Sequence, residues 1–208
     1  SKLDVTTFSW QKCLGGEGGH GMIILSPKAV ERINSYNPQW PIPKLFQLKK
    51  NGKLNIDIFS GSTINTPSML CVEDYIDALN WSIDIGGLAE LIKRSKNNLN
   101  IIAEWVSKSH WVDFLSENFD TVSNTSICLK LIDPKIINQS LEVKNNIEKN
   151  IIKLLEDENI AFDIGSYRSA PPGLRIWGGP TVENDDVKKL LPCLDWAYNK
   201  TLKILKLI

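Results

Sequence analysis

An α/β fold follows from three features of this 208-residue chain. Runs rich in β-branched and aromatic residues open it, at Leu3–Gln11 and Gly21–Ser26, and such runs suit the pleated, half-buried surface of a sheet. Long stretches with apolar residues at helical spacing follow, at Leu88–Val106, Asn145–Asn159 and Asn184–Ile208. Further strand-like runs alternate with these helices in the second half, which predicts a small α/β unit with a largely antiparallel sheet.

Taken in order, the opening run Leu3–Gln11 predicts a buried strand that ends at Lys12, followed by Gly15, Gly16, Gly18, Gly19 and Gly21. After the second strand, Ser26-Pro27 predicts a helix start, because a serine hydroxyl caps a free N–H and proline fits the first helical position. Between Ser35 and Ser68 breakers accumulate (Pro38, Pro41, Pro43, Gly52, Gly61, Pro67). An unstructured stretch of that length in a compact protein is usually functional or an interface. Tyr75, Leu79 and Ile83 predict a helix over 74–85, which Gly86-Gly87 breaks before the long helix of 88–106. Strands are then predicted at Ser126–Leu131, Ala161–Tyr167 and Leu174–Gly178, with helices at Asn145–Asn159 and Asn184–Ile208.

Composition excludes several function classes. The 24 basic and 24 acidic residues cancel, and no basic stripe carries interleaved aromatics, so no nucleic-acid partner is expected. No apolar run approaches the ~18 residues of a membrane helix, and the opening residues lack the pattern of a secretory signal. Cys13, Cys71, Cys128 and Cys193 are far apart with no C-x-x-C pair, which argues against a disulfide framework or a zinc site. A reducing cytoplasm is the expected location.

The segment Gly16-Glu17-Gly18-Gly19-His20-Gly21 satisfies G-x-G-x-x-G, yet that motif requires the glycines to open a helix. Here Met22-Ile23-Ile24-Leu25 predicts a strand. A nicotinamide cofactor is therefore not expected, and the glycines predict a tight reversal near Lys12.

Three groups of residues carry candidate chemistry. A Lys12 amine at a strand end, if desolvated and neutral, is suited to form a Schiff base; the alternative is a surface lysine in a turn. Asn65-Thr66-Pro67 is either a plain turn or a phosphate-holding one, with an amide, a hydroxyl and backbone N–H groups. Arg168 and Arg175 are two of only four arginines against twenty lysines and flank a rigid, turn-prone stretch. Their planar forks suit carboxylate and phosphate, and two of them can converge on one dianion; the alternative is a pair of surface salt bridges. His20 and His110 lack a second ligand at metal spacing and are expected to be structural or surface residues, and Trp177 is expected to pack in the core.

The segment Phe8-Ser9-Trp10-Gln11-Lys12-Cys13-Leu14-Gly15-Gly16-Glu17 resembles the cofactor-lysine segment of phosphoserine aminotransferases. The likeness is greatest to the branch common in alphaproteobacteria. It continues through Gly61-Ser62-Thr63-Ile64-Asn65-Thr66-Pro67-Ser68-Met69, Asp163-Ile164-Gly165-Ser166-Tyr167-Arg168 and Pro171-Pro172-Gly173-Leu174-Arg175-Ile176-Trp177, in the family's order and spacing. The family is of the fold-type I, class V pyridoxal-phosphate enzymes.

The resemblance implies that Lys12 holds pyridoxal 5'-phosphate and moves the substrate proton. It implies that Asn65 and Thr66 bind the cofactor phosphate of a neighbouring subunit, giving a homodimer with shared active sites. Arg175 matches the position that grips the substrate α-carboxylate, and Arg168 one that helps hold the phosphate or distal acid. Tyr167 stands where the family's best-known branch has histidine, so phosphate recognition can differ in detail. The implied reaction exchanges an amino group between O-phosphoserine and 2-oxoglutarate, giving 3-phosphooxypyruvate and glutamate, in serine biosynthesis.

The family's chain is nearly twice as long, and the likeness begins near its middle. The expectation is a carboxyl-terminal half: residues 1–95 as the end of the cofactor-binding large domain, 96–208 as the small α/β domain. The family's acidic partner for the pyridine nitrogen falls before Ser1, so the chain alone is expected to have little or no activity. Another class V enzyme, of the alanine–glyoxylate transaminase or cysteine desulfurase type, is the alternative within the fold. A non-catalytic assembly module is the alternative outside it.

Overall fold

A computed structural model describes residues 2–207, which divide into two compact units, one ending at Asp84 and the other beginning at Ile85. In the first, β1 (Val5–Ser9) and β2 (Gly21–Leu25) form an antiparallel ribbon with Val5 opposite Leu25 and Ser9 opposite Gly21. The ribbon is not the buried strand expected from its apolar content. Val5, Phe8, Met22 and Ile24 are all exposed, because within this unit no layer covers either face of the two strands.

Helix α1 (Pro27–Ser35) begins as its cap chemistry predicts, with Ser26 Oγ accepting from Ala29 N at 3.1 Å. At the other end Lys49 Nζ donates to the carbonyls of Asn34 and Tyr36, closing acceptors that the last turn leaves free. The breaker-rich stretch after it holds two short 3-10 turns, Lys44–Phe46 and Ile56–Ser60, and a small hairpin, β3 (Lys49–Lys50) with β4 (Lys53–Leu54). Its two-residue turn is Asn51-Gly52, with φ of 52° and 79°, the left-handed pair that such hairpins need. Helix α2 (Met69–Asp84) starts five residues earlier than expected, since Ser68 Oγ caps Cys71 N. Its predicted apolar positions Leu79 and Ile83 are exposed within this unit.

The second unit holds the main core. Gly86, at φ 117°, admits the chain to α3 (Gly87–Lys108); only glycine adopts that conformation without strain. Strands β5 (Val112–Phe114), β6 (Ser126–Leu131) and β7 (Gly173–Trp177) form one antiparallel sheet in that order. Helices α4 (Pro134–Ile137) and α5 (Leu141–Asp157) connect β6 to the loop before β7, and α6 (Asn184–Ile204) closes the unit. Strand alternation turns Val112, Phe114, Ile127, Leu129, Leu174 and Ile176 inward, where they are buried with Ile102, Ile151 and Leu194 of the helices. The opposite face carries Cys128, Lys130, Arg175 and Trp177.

Four expectations change here. Residues 161–167 are not a strand but make one bridge, Gly165 to Leu174. Asp163 has left-handed backbone at φ 52°, which interrupts any extended run. Helix α5 begins at Leu141 rather than Asn145, capped by Ser140 Oγ on Val143 N. Trp177 lies on the open sheet face and is 36% exposed, so it is not a core residue. Helix α6 stops at Ile204: Lys206 is left-handed and Leu207 N donates to Leu202 O, a closing pattern that satisfies the last carbonyls. Ile208, the predicted end, lies outside the described residues.

Two carboxylates organise the core. Asp195 of α6 accepts from two indoles, Trp111 Nε1 at 2.7 Å and Trp105 Nε1 at 3.0 Å. Asp133, which caps α4, accepts from the buried Tyr198 hydroxyl at 2.5 Å and from Lys135 N at 2.8 Å. Burial pushes the Asp133 carboxyl up, but the Tyr198 hydroxyl, the Lys135 N–H and the Lys135 and His110 charges outweigh it and hold it below the ordinary aspartate value. Burial and the same carboxylate push Tyr198 well above the usual tyrosine value.

Replacing Asp195 by alanine strands two indole donors and is expected to cost about 2–4 kcal/mol, measured by urea denaturation followed by tryptophan fluorescence. Asp195→Asn, which keeps one acceptor, loses less. Since the folded Asp133 value is lowered, its stabilisation is present above the unfolded value of about 3.9 and is lost as pH falls through the folded one. Asp133→Asn is therefore expected to flatten the acid limb of stability against pH, checked by denaturation at a series of pH values.

Candidate active site

Lys12 sits in a turn fixed at several points. Beyond Ser9 the ribbon ladder continues once more, Trp10 N to His20 O, and Gly16 N then returns to Trp10 O at 3.2 Å. Between these anchors Gly15 N donates to Lys12 O at 3.1 Å, a β-turn that begins at the lysine. The Trp10 ring stacks on Tyr75 of α2 with centroids 4.4 Å apart and 2° between planes. Glu17 N donates to Asp74 Oδ2 of the same helix. The reversal predicted from the glycines is thus present, and it is followed by strand β2, which leaves the dinucleotide pattern without the helix it needs. A Cβ at Gly21 would lie 2.6 Å from Phe8 O, so glycine here serves the close strand pairing.

The Lys12 side chain is exposed in this unit. That departs from the desolvated amine expected of a buried strand, for the reason already given: the ribbon end has no covering layer there. His20 ties the turn to the second candidate group, its Nε2 accepting from Ser68 N at 3.1 Å. Asn65 and Thr66 lie just before, with exposed side chains, and Thr63 Oγ1 holds the Asn65 carbonyl at 2.6 Å. Lys12 and Asn65-Thr66 therefore belong to one unit and are linked through His20, a residue read from sequence only as structural or surface. His20 Nδ1 and Trp10 Nε1 are buried without a hydrogen-bond partner.

The arginines lie in the other unit. Arg175 is central in β7, opposite Cys128, with its guanidinium on the open face of the sheet. It donates to Asp163 Oδ2 at 3.0 Å, and its carbon stands 5.9 Å from the centre of the Tyr167 ring. Arg168 follows Tyr167 on an exposed turn closed by Ala170 N to Tyr167 O at 2.8 Å, and has no ion-pair partner among the described residues. Tyr167 thus immediately precedes Arg168 in sequence and lies beside Arg175 in space.

Sequence reasoning missed what holds this region. Glu148 of α5 is buried and accepts from Ser166 N and Ser166 Oγ, both at 2.7 Å, and from Gly173 N at 3.2 Å. Asn98 of α3, also buried, donates to the carbonyls of Gly178, Gly179 and Val182 and accepts from Asn184. Both ends of β7 are tied to helices by polar side chains. No local signal distinguishes Glu148 or Asn98 from solvated residues on the same helices.

No family model matches the chain. Over 198 residues, 95% of its length, it is 52% identical to the phosphoserine aminotransferase of Methanosarcina mazei. The chain spans about half the length of the curated relatives it matches, 51% of that one. It is homologous to half of a phosphoserine aminotransferase. The solved phosphoserine aminotransferase of Bacillus circulans subsp. alkalophilus shares its fold, with a TM-score of 0.67 at 20% identity over 95% of this chain and 48% of that one. So does the alanine–glyoxylate aminotransferase of a Nostoc species, with a TM-score of 0.68 at 18% identity over 94% of this chain and 48% of that one. At such identities the structures establish the class V aminotransferase fold alone, so the expected fold class holds.

The cofactor implied by likeness to phosphoserine aminotransferases is pyridoxal phosphate, and the donor set fits it. Lys12 offers an amine with no ion-pair partner among the described residues. Asn65 offers an amide and Thr66 a hydroxyl, both exposed, and Trp10 Nε1 and His20 Nδ1 nearby are unpartnered.

The arginine-bearing strand tolerates no side chain at its first position. A Cβ on Gly173 would lie 2.0 Å from Leu129 O, so Gly173→Ala is expected to cost about 1–3 kcal/mol through forced strand separation. Thermal unfolding of the variant checks this; the same change at Gly19, where a Cβ meets nothing within 4 Å, faces only backbone strain.

Proposed function

We propose that this chain supplies the cofactor lysine and the anion-gripping arginines of a homodimeric pyridoxal-phosphate aminotransferase that exchanges an amino group between O-phosphoserine and 2-oxoglutarate. The observation that carries this reading is 52% identity over 95% of the chain to a protein of that name. Lys12, Asn65, Thr66, Arg168 and Arg175 all fall within the quoted motifs. On this reading residues 1–95 are the end of the large domain, 96–208 are the small domain, and the enzyme works in the cytoplasm in serine biosynthesis.

When bound, pyridoxal phosphate supplies an aldehyde that condenses with amines and a ring that withdraws electrons from the substrate Cα. Lys12 Nζ would hold it and would take the proton from the substrate Cα as base, then deliver it as acid to the cofactor side of the bond being shifted. Asn65 and Thr66 would donate to the cofactor phosphate of the neighbouring subunit, which would make the dimer a condition of activity. Arg175 takes the substrate α-carboxylate in place of Asp163. Exposed pairs are worth only about 0–1 kcal/mol, so an incoming carboxylate displaces Asp163 at little cost. Arg168, unpaired and on a turn, takes the distal acid. Both amino donor and acceptor are acidic at two ends, which suits two arginines serving both half-reactions.

Reduction of the full-length protein with borohydride after adding pyridoxal phosphate is expected to label Lys12; a label elsewhere, or none, overturns the reading. Arg175→Ala is expected to lower kcat/KM for O-phosphoserine about 10- to 100-fold, the loss of one charge-assisted contact. Faster transfer from alanine than from O-phosphoserine in the unaltered enzyme would favour the alanine–glyoxylate alternative instead.

A further inference from the structure

Glu148 is a buried carboxylate with no cation beside it among the described residues. Its exposure is 9%, and its hydrogen bonds come from Ser166 N, Ser166 Oγ and Gly173 N. An ionised carboxylate taken from water without a countercharge is costly unless its lone pairs are filled. Here they are filled by donors from two places only, the start and the end of the segment that carries Arg168. Oε1 takes both Ser166 donors and Oε2 takes Gly173 N, so one carboxylate closes residues 166–173 into a loop.

The surroundings are cut to this contact. A Cβ at Gly165 would lie 2.8 Å from Ile152 Cδ1 and 3.3 Å from Glu148 Oε1. A Cβ at Gly173 would strike Leu129 O. The loop ends are therefore packed against α5 and β6 by glycines, and the carboxylate locks them. Arg175 lies two residues beyond Gly173, on a strand whose register with Cys128 is set by the β6 ladder. Arg168 lies two residues beyond Ser166, with only the Tyr167–Ala170 turn bond inside the loop.

We infer that Glu148 is a positioning residue that sets the distance between Arg168 and Arg175, and so the selectivity of the site for ligands with two anionic groups. This rests on the aminotransferase reading of the two arginines. Chemistry limits the substitutes. Glutamine keeps the volume but turns an N–H₂ toward N–H or O–H donors, so one loop end comes free. Aspartate keeps the charge but is shorter by one methylene and cannot reach both ends.

The test uses the full-length enzyme with its cofactor and two competitive probes, glutarate with two carboxylates and butyrate with one. Glu148→Gln is expected to raise the inhibition constant for glutarate about tenfold, to leave butyrate within about twofold, and to raise KM for O-phosphoserine with kcat little changed. A role confined to stability predicts equal weakening of both probes, and that result overturns the inference. Ser166→Ala, which removes one donor and buries no new charge, is expected to shift glutarate alone by about threefold; should Glu148→Gln fail to fold, unchanged selectivity in Ser166→Ala overturns the inference by itself. Arg168→Ala and Arg175→Ala separate the two levels. If both arginine variants bind glutarate normally, the reading of the site fails. If they lose it while Glu148→Gln keeps it, only the role given to Glu148 fails.

Discussion

The second unit depends on strand β7 being held at both ends by polar side chains that the helices bury. Glu148 takes the N–H at its start, and Asn98 takes carbonyls just past its end. Each is a helical residue whose satisfied hydrogen bonds are also the cost of removing it: a lost partner strands donors or acceptors in a low-dielectric interior, at about 1–3 kcal/mol each. The apolar packing of Leu174 and Ile176 beneath the sheet would hold the strand in many nearly equivalent ways, since hydrophobic contact has no direction. The two polar anchors select one of them. Arg175, between those anchors, is therefore on backbone tied at both ends and paired along its length, whereas Arg168 sits on a loop tied at its ends with one turn bond inside it.

The first unit is arranged differently. Its fixed points are a Trp10–Tyr75 stack and a handful of backbone contacts around the Lys12 turn, and Ala29 and Cys71 are its only buried apolar residues among those described. Phe8, Ile24, Leu79 and Ile83 remain exposed. Large apolar side chains left exposed in such number are characteristic of faces that other protein covers. An amine at such a place changes character when covered: desolvation disfavours its charged form and makes it nucleophilic. On the proposed reading the lysine chemistry would depend on such a cover, whereas the arginines are placed by the second unit itself.

How much of this was legible depended on whether the cause was local. Ser26-Pro27 foretold α1 because cap and first turn are adjacent in sequence. The glycine run foretold a reversal for the same reason, and the strand after it disposed of the dinucleotide pattern. Asn51-Gly52 carries an equally local hairpin signal, but the prolines and glycines on both sides give the whole stretch the composition of a loop. Residues 161–167 misled because their apolar content suits a strand, and nothing local says that Asp163 turns left-handed. Glu148 gave no sign at all: on an amphipathic helix with Glu142 and Glu156 nearby, only the fold shows which glutamate is buried. The site residues themselves came from resemblance to a family, since from the residues alone a surface lysine and two surface salt bridges are the ordinary readings.

The Arg175–Asp163 contact shows why the static picture is compatible with a binding site. Asp163 presents its carboxylate from an almost wholly exposed side chain, 92% accessible, on a residue with left-handed backbone. An exposed pair of this kind gains little over hydration of the separate charges. A free carboxylate brought in by a ligand that also engages Arg168 gains two charge-assisted contacts for one loss of translational freedom. A ligand with a single carboxylate replaces one contact with an equivalent one and gains almost nothing. On the proposed reading, displacing Asp163 costs either kind of ligand the same small amount, so the second contact, with Arg168, is what favours dianions. Discrimination at Arg175 then depends on how firmly the neighbouring loop holds Arg168, which returns the question to the buried carboxylate beneath it.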